Sequence, residues 1–377
     1  MTDHISQKQQ DRDKAGSTRE LTTHKGLVDF VSNDYLGLSR SKRLFDQIRG
    51  YDYQHEVNLN GSTGSRLLAG NSDTATRLES KLAKIFKSEA ALLFNSGYVA
   101  NLALISCVPQ RGDTIIYDNL AHVCLKEGAF LSKANRFSFR HNDCDDLGAK
   151  LKSASGNKYV VIESVYSMDG DLAPFGDIIE LAARYDAKII VDEAHSTGLY
   201  GESGAGKLCA LGLEEHIFAR VHTFGKAMGV HGACIGGSKQ LIDYLTNFAR
   251  PFIYTTALPL HSLFSIDAAF DYLSENINLQ KESKDKIFYF NSLFNQKIGN
   301  STAIHKLDSQ TPIQPIVVPG NEKVKKMAKS LQKSGFDVRA ILSPTVKEGA
   351  ERLRISIHTH NSHEEIDELI NQLASII

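Results

Sequence analysis

The stretch KIIVDEAH, residues 188–195, sets the fold class. Its first four residues are typical of a buried β-strand, and the ionisable side chains Asp192, Glu193 and His195 follow directly. Ionisable groups at the end of a buried strand are costly unless they have a task. Ligands of open α/β sheets bind beyond the carboxyl ends of the strands, so Asp192 and His195 are candidate site residues. A strand-end ion pair with only a structural role is the alternative.

The same four letters, Asp-Glu-Ala-His, occur in magnesium-binding helicases. That function would require an upstream phosphate loop of the form GxxxxGK[ST], and the chain has none. A carboxylate in this place can instead keep a pyridine nitrogen protonated, which makes the ring an electron sink. We expect Asp192 to do so, and His195 to hydrogen-bond a hydroxyl on the same ring.

Short apolar runs alternate with amphipathic segments between about residues 41 and 255. This alternation predicts a mostly parallel central sheet covered by helices, an α/β fold. The runs predicted as strands are 91–94, 114–117, 159–162, 188–191, about 221–223 and 233–236. The segments predicted as helices by their apolar spacing include 74–87, 98–107, 121–132 and 175–185.

The two ends of the chain differ from this central part. A polar lead and a short strand at 27–31 predict an N-terminal arm. From about residue 260 the pattern predicts two long helices, a strand at 313–318, a helix, two strands and a last helix, which begins at the capping box of Ser362 and Glu365. We therefore expect three parts: an arm at 1–40, a large domain at 41–258 and a smaller α+β domain at 259–377.

Lys226 is the candidate nucleophile. It lies in the loop TFGKAMG, residues 223–229, between apolar segments and among small residues, which is unusual for a solvated lysine. A desolvated neutral amine can attack an aldehyde and later accept a proton. Thr223 is placed to give its hydroxyl to a phosphate. A lone lysine in such a loop is more often structural, but a lysine 34 residues after an Asp-x-x-His is a more specific signal.

A phosphate seat is predicted after the strand at 91–94. There Asn95-Ser96-Gly97-Tyr98 opens a helix, whose free N–H groups and positive dipole end attract an anion. Gly97 allows the backbone to approach closely. Taken alone this is a weak signal, because most Ser-Gly turns before a helix are simply turns.

Composition excludes several classes of function. The net charge of −1 gives no electrostatic footprint for nucleic acid or an anionic membrane. The five cysteines contain no CxxC pair, which argues for reduced thiols in the cytosol and against a disulfide frame or a metal site. The N-terminus has no apolar signal segment and no run of about 18 apolar residues exists, so we expect a cytoplasmic protein.

With these residues in view, the sequence resembles the α-oxoamine synthases. These are fold-type-I pyridoxal 5'-phosphate enzymes that condense an amino acid with an acyl-CoA. The resemblance covers nearly the whole chain from about residue 19. Its motifs are SNDYLGL (32–38), GSTGSR (61–66), NSGY (95–98), AH (121–122), SMDGD (167–171), DEAH (192–195), TFGK (223–226) and RLR (352–354).

The resemblance implies a role for each matched residue. At the cofactor ring, His122 would stack on the face, Ser167 and His195 would hydrogen-bond the oxygen, Asp192 would pair with the nitrogen, and Lys226 would bind covalently. The phosphate would be held by Gly97, Tyr98 and Thr223. The resemblance also implies a homodimer, in which Thr255 and Thr256 would reach the phosphate in the partner subunit. At the substrates, Asn33 and Arg354 would bind a carboxylate, Thr345 would lie near the substrates, and Arg19 would meet the acyl donor. His122 and Arg354 also have simpler interpretations, as a helix-start histidine and a strand-end surface charge.

Within the family, the segments 248–259 and 344–346 favour members that join L-alanine to a pimeloyl thioester, carried by CoA or a carrier protein. The chain departs from the family pattern at two positions. Glycine is commoner at the position of Thr63, and serine often precedes the histidine at the position of Ala121. The identity of the acyl substrate therefore stays undecided. The alternative substrates within the family are glycine with acetyl-CoA, serine with a palmitoyl donor, and a medium-chain acyl-CoA used to make a quorum signal. A binding protein that keeps the fold without catalysis is the alternative of another class.

Overall fold

The computed structural model describes residues 3–19, 21, 23, 26–54, 60–299 and 301–377, with backbone alone at 51–54. The strands are β1 Val28–Asp29, β2 Ala90–Phe94, β3 Thr114–Asp118, β4 Asn135–Phe139, β5 Lys158–Glu163, β6 Ala187–Asp192, β7 Ala219–Thr223, β8 Ala233–Gly237, β9 His305–Lys306, β10 Ile313–Val317, β11 Phe336–Asp337, β12 Arg339–Ile341 and β13 Arg352–Ser356.

The helices lie before, between and after these strands. They are α1 Asp3–Lys14, α2 Lys42–Gln54, α3 Asp73–Ile85, α4 Gly97–Cys107, α5 Val123–Leu131, α6 Cys144–Ser153, α7 Phe175–Arg184, α8 Lys207–Leu211, α9 Lys239–Phe248, α10 Arg250–Ile253, α11 Leu260–Glu275, α12 Asn278–Ile298, α13 Asn321–Lys333 and α14 His363–Ser375. Short 3-10 turns occur at Leu38–Arg40, Glu202–Gly204 and Glu214–His216.

The chain divides into two compact units. One comprises Leu36–Ser167 and Leu172–Gln280, and the other comprises Met1–Tyr35, Met168–Asp171 and Lys281–Ile377. From the sequence, we predicted a separate arm at 1–40 and a domain boundary after residue 258. In the structure the N-terminal segment groups with the C-terminal residues, and α11 groups with the larger unit.

The larger unit is built on a seven-stranded sheet in the order β2-β8-β7-β6-β5-β3-β4. β8 runs antiparallel to both of its neighbours, and the remaining neighbours pair in parallel. The predicted α/β class is confirmed, and the six predicted strands are present with small shifts at their ends. The edge strand β4 was missed because its sequence NRFSF is largely polar and exposed.

Both faces of this sheet are buried, as its apolar strands require. Ile190 and Val161 belong to one hydrophobic cluster, with residues of α4, α5 and α9. Their neighbours along the strands, Ile189 and Val160, belong to the cluster on the other face, with residues of α6 and α7. Because successive side chains of a strand point to opposite faces, a continuous apolar run fills both layers.

The smaller unit contains a four-stranded antiparallel sheet in the order β12-β13-β10-β9. Its core joins these strands to α12, α13 and α14 through buried residues such as Phe290 and Leu369. The predicted arm strand is shorter than expected, and β1 pairs in parallel with β11. The polar lead forms the helix α1, which buries no residue. No helix among the described residues combines the length and the apolar character needed to cross a bilayer.

The capping box predicted for the last helix is confirmed. Ser362 Oγ accepts a hydrogen bond from the backbone N–H of Glu365 at 3.1 Å, and Glu365 Oε2 accepts one from the backbone N–H of Ser362 at 2.9 Å. Two N–H groups that lack helical acceptors are thereby paired at the start of α14.

Replacing Ser362 with alanine should therefore lower the free energy of unfolding by about 1 kcal/mol, since one cap hydrogen bond is lost. Urea unfolding followed by circular dichroism measures the change. Ser375→Ala, in the last turn of the same helix, removes an exposed hydroxyl bonded only to Gln372 O and serves as the control. Equal unfolding midpoints for the two variants would contradict the assigned role of the cap.

Candidate active site

Lys226 and His195 meet beyond the carboxyl ends of adjacent parallel strands. Lys226 Nζ lies 2.7 Å from His195 Nε2. Lys226 follows β7 by three residues and His195 follows β6 by three, so the parallel pairing of these strands brings both side chains to one edge of the sheet. His195 is buried and Lys226 is half-buried. At this distance the two nitrogens can exchange a proton through a hydrogen bond.

Asp192, the last residue of β6, is buried with both of its carboxylate oxygens occupied. Oδ2 accepts a hydrogen bond from Asn101 Nδ2 at 2.7 Å, and Oδ1 accepts one from the Ala194 N–H at 2.8 Å. Two N–H donors suit an ionised carboxylate, which only accepts. Asn101 was not among the predicted site residues, although an asparagine within the apolar helix sequence GYVANLALISC indicates a buried polar contact.

Glu163 is a second buried carboxyl group at this edge and was also missed. It ends β5, and the register of the parallel pair places it directly beside Asp192. Burial raises the pKa of Glu163, and the negative charge of Asp192 raises it further, while Lys226 opposes the shift. Glu163 Oε1 accepts a hydrogen bond from the backbone N–H of His122. The neighbouring carboxyl group thus helps to fix the residue expected to stack on the cofactor.

His122 caps the N-terminus of α5 with its own ring. Its Nδ1 accepts the backbone N–H of Cys124 at 3.3 Å and lies 2.9 Å from Cys124 Sγ. Because Nδ1 accepts, a neutral ring carries its proton on Nε2. The ring is exposed, so its face is accessible to a flat ligand. The capping interpretation and the stacking interpretation are therefore compatible.

The predicted phosphate seat is assembled from two segments. Ser96 caps α4, and the helix begins at Gly97. A Cβ on Gly97 would lie 2.0 Å from Thr223 Oγ1, so only glycine fits beside this hydroxyl. Backbone N–H groups in the first turn of α4 have no intrahelical acceptor and can bind phosphate. Tyr98 follows Gly97, with its ring exposed and its hydroxyl bonded to Glu127.

The remaining expected cofactor residues lie in loops of the same unit. Asn95 Nδ2, next to the seat, donates to Thr255 Oγ1 at 3.2 Å and to the backbone oxygen of Thr256 at 3.0 Å. Ser167 is half-buried and follows the end of β5 by four residues. The donor set fits pyridoxal phosphate: a helix terminus for its phosphate, a buried carboxylate for its ring nitrogen and an amine for its aldehyde.

The smaller unit brings together Asn33 and Arg354, although 321 positions separate them. Arg354 Nη2 donates to Asn33 Oδ1 at 3.0 Å and to the Tyr35 hydroxyl at 3.3 Å, and the Tyr35 hydroxyl donates to Asn33 Oδ1 at 2.9 Å. Arg354 is buried, so a simple surface charge is the wrong interpretation. Arg19 and Thr345 are both exposed, with Arg19 Nη2 3.4 Å from Thr345 Oγ1.

Comparison with known proteins agrees with this fold. Residues 25–373 match the family described as aminotransferase class I and II. An 8-amino-7-oxononanoate synthase from Emericella nidulans is 39% identical over 374 residues, covering 92% of this chain and 89% of the relative. A solved structure of the synthase of the same name from Francisella tularensis superposes with a TM-score of 0.77 at 26% identity, covering 93% of this chain and 97% of the other.

A structure of serine palmitoyltransferase from S. paucimobilis superposes more closely, with a TM-score of 0.89 over 100% of this chain and 97% of the other. Its sequence identity is 23%, so this likeness concerns the fold alone. The fold-type-I architecture expected from the sequence is confirmed.

Gly97→Ala should weaken cofactor binding, because the added methyl group displaces either the Thr223 hydroxyl or the start of α4. We expect the affinity for pyridoxal phosphate to fall at least about tenfold, a loss of about 1.4 kcal/mol. Spectrophotometric titration of the apoprotein measures it. Gly176→Ala, where an added Cβ meets nothing within 4 Å, is the control. Unchanged affinity in a folded Gly97→Ala protein would remove Gly97 from the phosphate seat.

Proposed function

The chain belongs to the aminotransferase class I and II family and, within it, to the α-oxoamine synthases, and we propose on this basis that it joins L-alanine to a pimeloyl thioester. The reaction releases the thiol carrier and carbon dioxide and yields 8-amino-7-oxononanoate, an intermediate of biotin biosynthesis. Pyridoxal 5'-phosphate is the cofactor. The observation that carries the proposal is the contact of Lys226 with His195 beside the buried carboxylate of Asp192.

The bound cofactor supplies an electron sink for the negative charge that develops on the α-carbon of the amino acid. Lys226 would hold the cofactor and, as a neutral amine, would accept the α-proton of the amino acid. His195, 2.7 Å from Lys226 Nζ, is positioned to share that proton. Asp192 maintains a negative charge at the ring nitrogen, because Asn101 and the Ala194 N–H fix both of its oxygens.

The other residues bind and orient. His122 stacks on the cofactor ring, Ser167 bonds its oxygen, and Gly97, Tyr98 and Thr223 hold its phosphate. Arg354 binds the carboxylate of alanine through its guanidinium fork, together with Asn33. Thr345 and Arg19 contact the acyl donor. A homodimer is part of the proposal, with Thr255 and Thr256 contributing to the phosphate site of the partner subunit.

The proposed reaction is tested by the mass of the product after incubation with L-alanine and pimeloyl-CoA. We expect the mass of 8-amino-7-oxononanoate, with release of one carbon dioxide per turnover. Glycine with acetyl-CoA, serine with palmitoyl-CoA and a medium-chain acyl-CoA are parallel incubations, and faster turnover with any of these would replace the proposed substrates. A colourless protein that does not bind added cofactor would favour the non-catalytic alternative.

Lys226→Ala should abolish covalent cofactor binding, because the substitution removes the amine that lies beside His195 and leaves the sheet unchanged. The measurement is the visible absorption band of the protein-bound cofactor, which we expect to vanish. Lys188→Ala, at the opposite end of β6, should retain the band. A retained band in the Lys226 variant would show that another amine binds the cofactor.

Asp192→Asn should leave the cofactor bound but lower kcat at least about 100-fold, since the charge that stabilises the transition state is lost while the shape is kept. Steady-state rates with L-alanine and pimeloyl-CoA measure the effect. Asp177→Asn, an exposed position in the first turn of α7, is the control. A near-normal rate in the Asp192 variant would exclude its role in charge stabilisation.

A further inference from the structure

Beyond β13, the chain carries a fully buried histidine, His358, that the catalytic proposal does not use. Both His358 and Asn361 are completely inaccessible to solvent. They pack against the N-terminal segment that contains Asp29, Ser32 and Asn33, within the same compact unit. The protonation state of the His358 ring follows from the groups that face its two nitrogens.

His358 Nδ1 faces an oxygen whose identity is fixed. It lies 2.9 Å from Asn361 Oδ1. That side chain cannot be flipped, because its Nδ2 donates to the backbone oxygen of Asp29 at 3.0 Å and its Oδ1 accepts the backbone N–H of His358 at 3.0 Å. An amide oxygen only accepts, so Nδ1 carries a proton.

His358 Nε2 also faces acceptors. It lies 3.0 Å from the backbone oxygen of Ser32 and 3.2 Å from Ser32 Oγ. The Ser32 hydroxyl uses its hydrogen for Asp29 Oδ2, 2.7 Å away, and therefore offers Nε2 only lone pairs. A carbonyl oxygen cannot donate, so Nε2 carries a proton as well. With both nitrogens protonated, the buried ring is an imidazolium.

A buried positive charge requires a nearby negative one, and Asp29 supplies it. A carboxylate oxygen of Asp29 lies within 4.8 Å of a ring nitrogen of His358. Burial alone would raise the pKa of Asp29, but hydrogen bonds from Ser32 and Val31 and the charge of His358 outweigh it and hold this pKa well below its usual range. The carboxylate is therefore ionised at neutral pH.

The other charged or titratable groups around the His358 ring come from the segment after β13, from α12, from β13 and from the N-terminal segment. His360 stacks its ring on His358 with centroids 4.5 Å apart, and its Nε2 is 4.0 Å from Asp29 Oδ2. Lys286 of α12 donates to the backbone oxygens of Thr359 and Asn361. Arg354 of β13 reaches the neighbouring Tyr35 hydroxyl, and the Tyr35 ring stacks with that of His358 at 6.4 Å.

Asp29, His358 and His360 are close enough to suggest a metal site. The ring of His358 argues against it, because a metal ligand needs an unprotonated nitrogen with a free lone pair. Both of its nitrogens point at oxygen acceptors, and binding a cation would break the bonds that hold Ser32 or Asn361. Zinc binding is accordingly an outcome that the experiment must be able to detect.

We propose that His358, as an imidazolium, is a positioning residue for amino-acid binding: it holds the Ser32 carbonyl and thereby aims the adjacent Asn33 side chain, 3.0 Å from Arg354, at the substrate carboxylate. The functional part of this inference rests on the proposed function. The charge state does not, because it follows from hydrogen bonding alone.

The charge state is tested by nitrogen NMR of the holoenzyme labelled with ¹⁵N-histidine at pH 7. We expect one ring with both nitrogens protonated and protected from exchange, and its signals should be missing in His358→Gln. A spectrum in which every protected ring has one bare nitrogen would overturn the inference, whichever substrates the enzyme uses. A joint shift of the His358 and His360 signals on adding zinc alone would replace it with a metal site.

The positioning role is tested by steady-state kinetics of His358→Gln, which keeps one donor but no charge. We expect the KM for L-alanine to rise at least about tenfold, as for a lost charged hydrogen bond, with kcat and the KM for pimeloyl-CoA nearly unchanged. His360→Gln is the matched control, since its ring stacks on that of His358, whereas the contacts with Ser32 are made by His358.

The positioning role would be contradicted if kcat fell by the same factor as the KM for alanine rose, or if the His358 and His360 variants had the same KM for alanine. If His358→Gln does not fold, the NMR measurement on the parent enzyme still decides the charge state, and the KM for alanine of the smaller variant His358→Asn tests the role. Failure of alanine as a substrate would count against the proposed function and leave the NMR result unaffected.

Discussion

The structure of the site depends on one interaction: the carboxyl group of Asp192, buried at the end of a central strand, is held by two N–H donors. An ion in this environment is stable only when it is hydrogen-bonded and paired. The fold meets the requirement with Asn101 from α4 and the backbone of Ala194. The parallel register of β6 with its neighbours then places Glu163 on one side and the loop that carries Lys226 on the other. The pairing of strands thus determines which side chains meet at this edge of the sheet.

Much of this arrangement could be predicted from the sequence, because the responsible residues follow apolar runs. Parallel strands end at one edge, so residues just beyond Val191 and Thr223 must meet there, as His195 and Lys226 do. Asn101 could not be found in this way, and Glu163, although it directly follows the predicted strand at 159–162, was overlooked. Glu163 occupies a strand position and gains its meaning only from the register with Asp192. Asn101 lies within a helix, where its direction depends on how α4 packs on the sheet.

The substrate side of the proposal was less accessible to sequence reasoning. Asn33 and Arg354 lie near opposite ends of the chain, and their hydrogen bond depends on the N-terminal segment lying along β13 and its continuation. The backbone N–H groups of Ser356 and Thr359 bond to the carbonyl oxygens of Phe30 and Tyr35. Only the family resemblance indicated this pairing in advance. The division of the chain at Gln280 was hidden for a similar reason, since consecutive amphipathic helices give no sign of which core each one joins.

The segment DEAH shows how one short sequence serves both the site and the scaffold. Asp192 and His195 take part in the cluster at the strand end, while Glu193 is buried elsewhere, accepting hydrogen bonds from the Leu208 N–H and the Ser196 hydroxyl. Burial raises the pKa of Glu193 to about 7, although these donors and Arg220 oppose the shift.

A Cβ on Gly206 would lie 1.6 Å from Glu193 Oε2, so the loop before α8 is shaped around this carboxyl group. Because a raised pKa means that the folded protein holds its proton more tightly than the unfolded chain, the stability that Glu193 contributes is largest at acidic pH and declines as the pH rises through about 7. The raised pKa of Glu163 affects stability in the same direction, so its contribution also declines as the pH rises. The raised pKa of Glu163 favours its neutral form, which limits the negative charge that the buried sheet must hold beside Asp192.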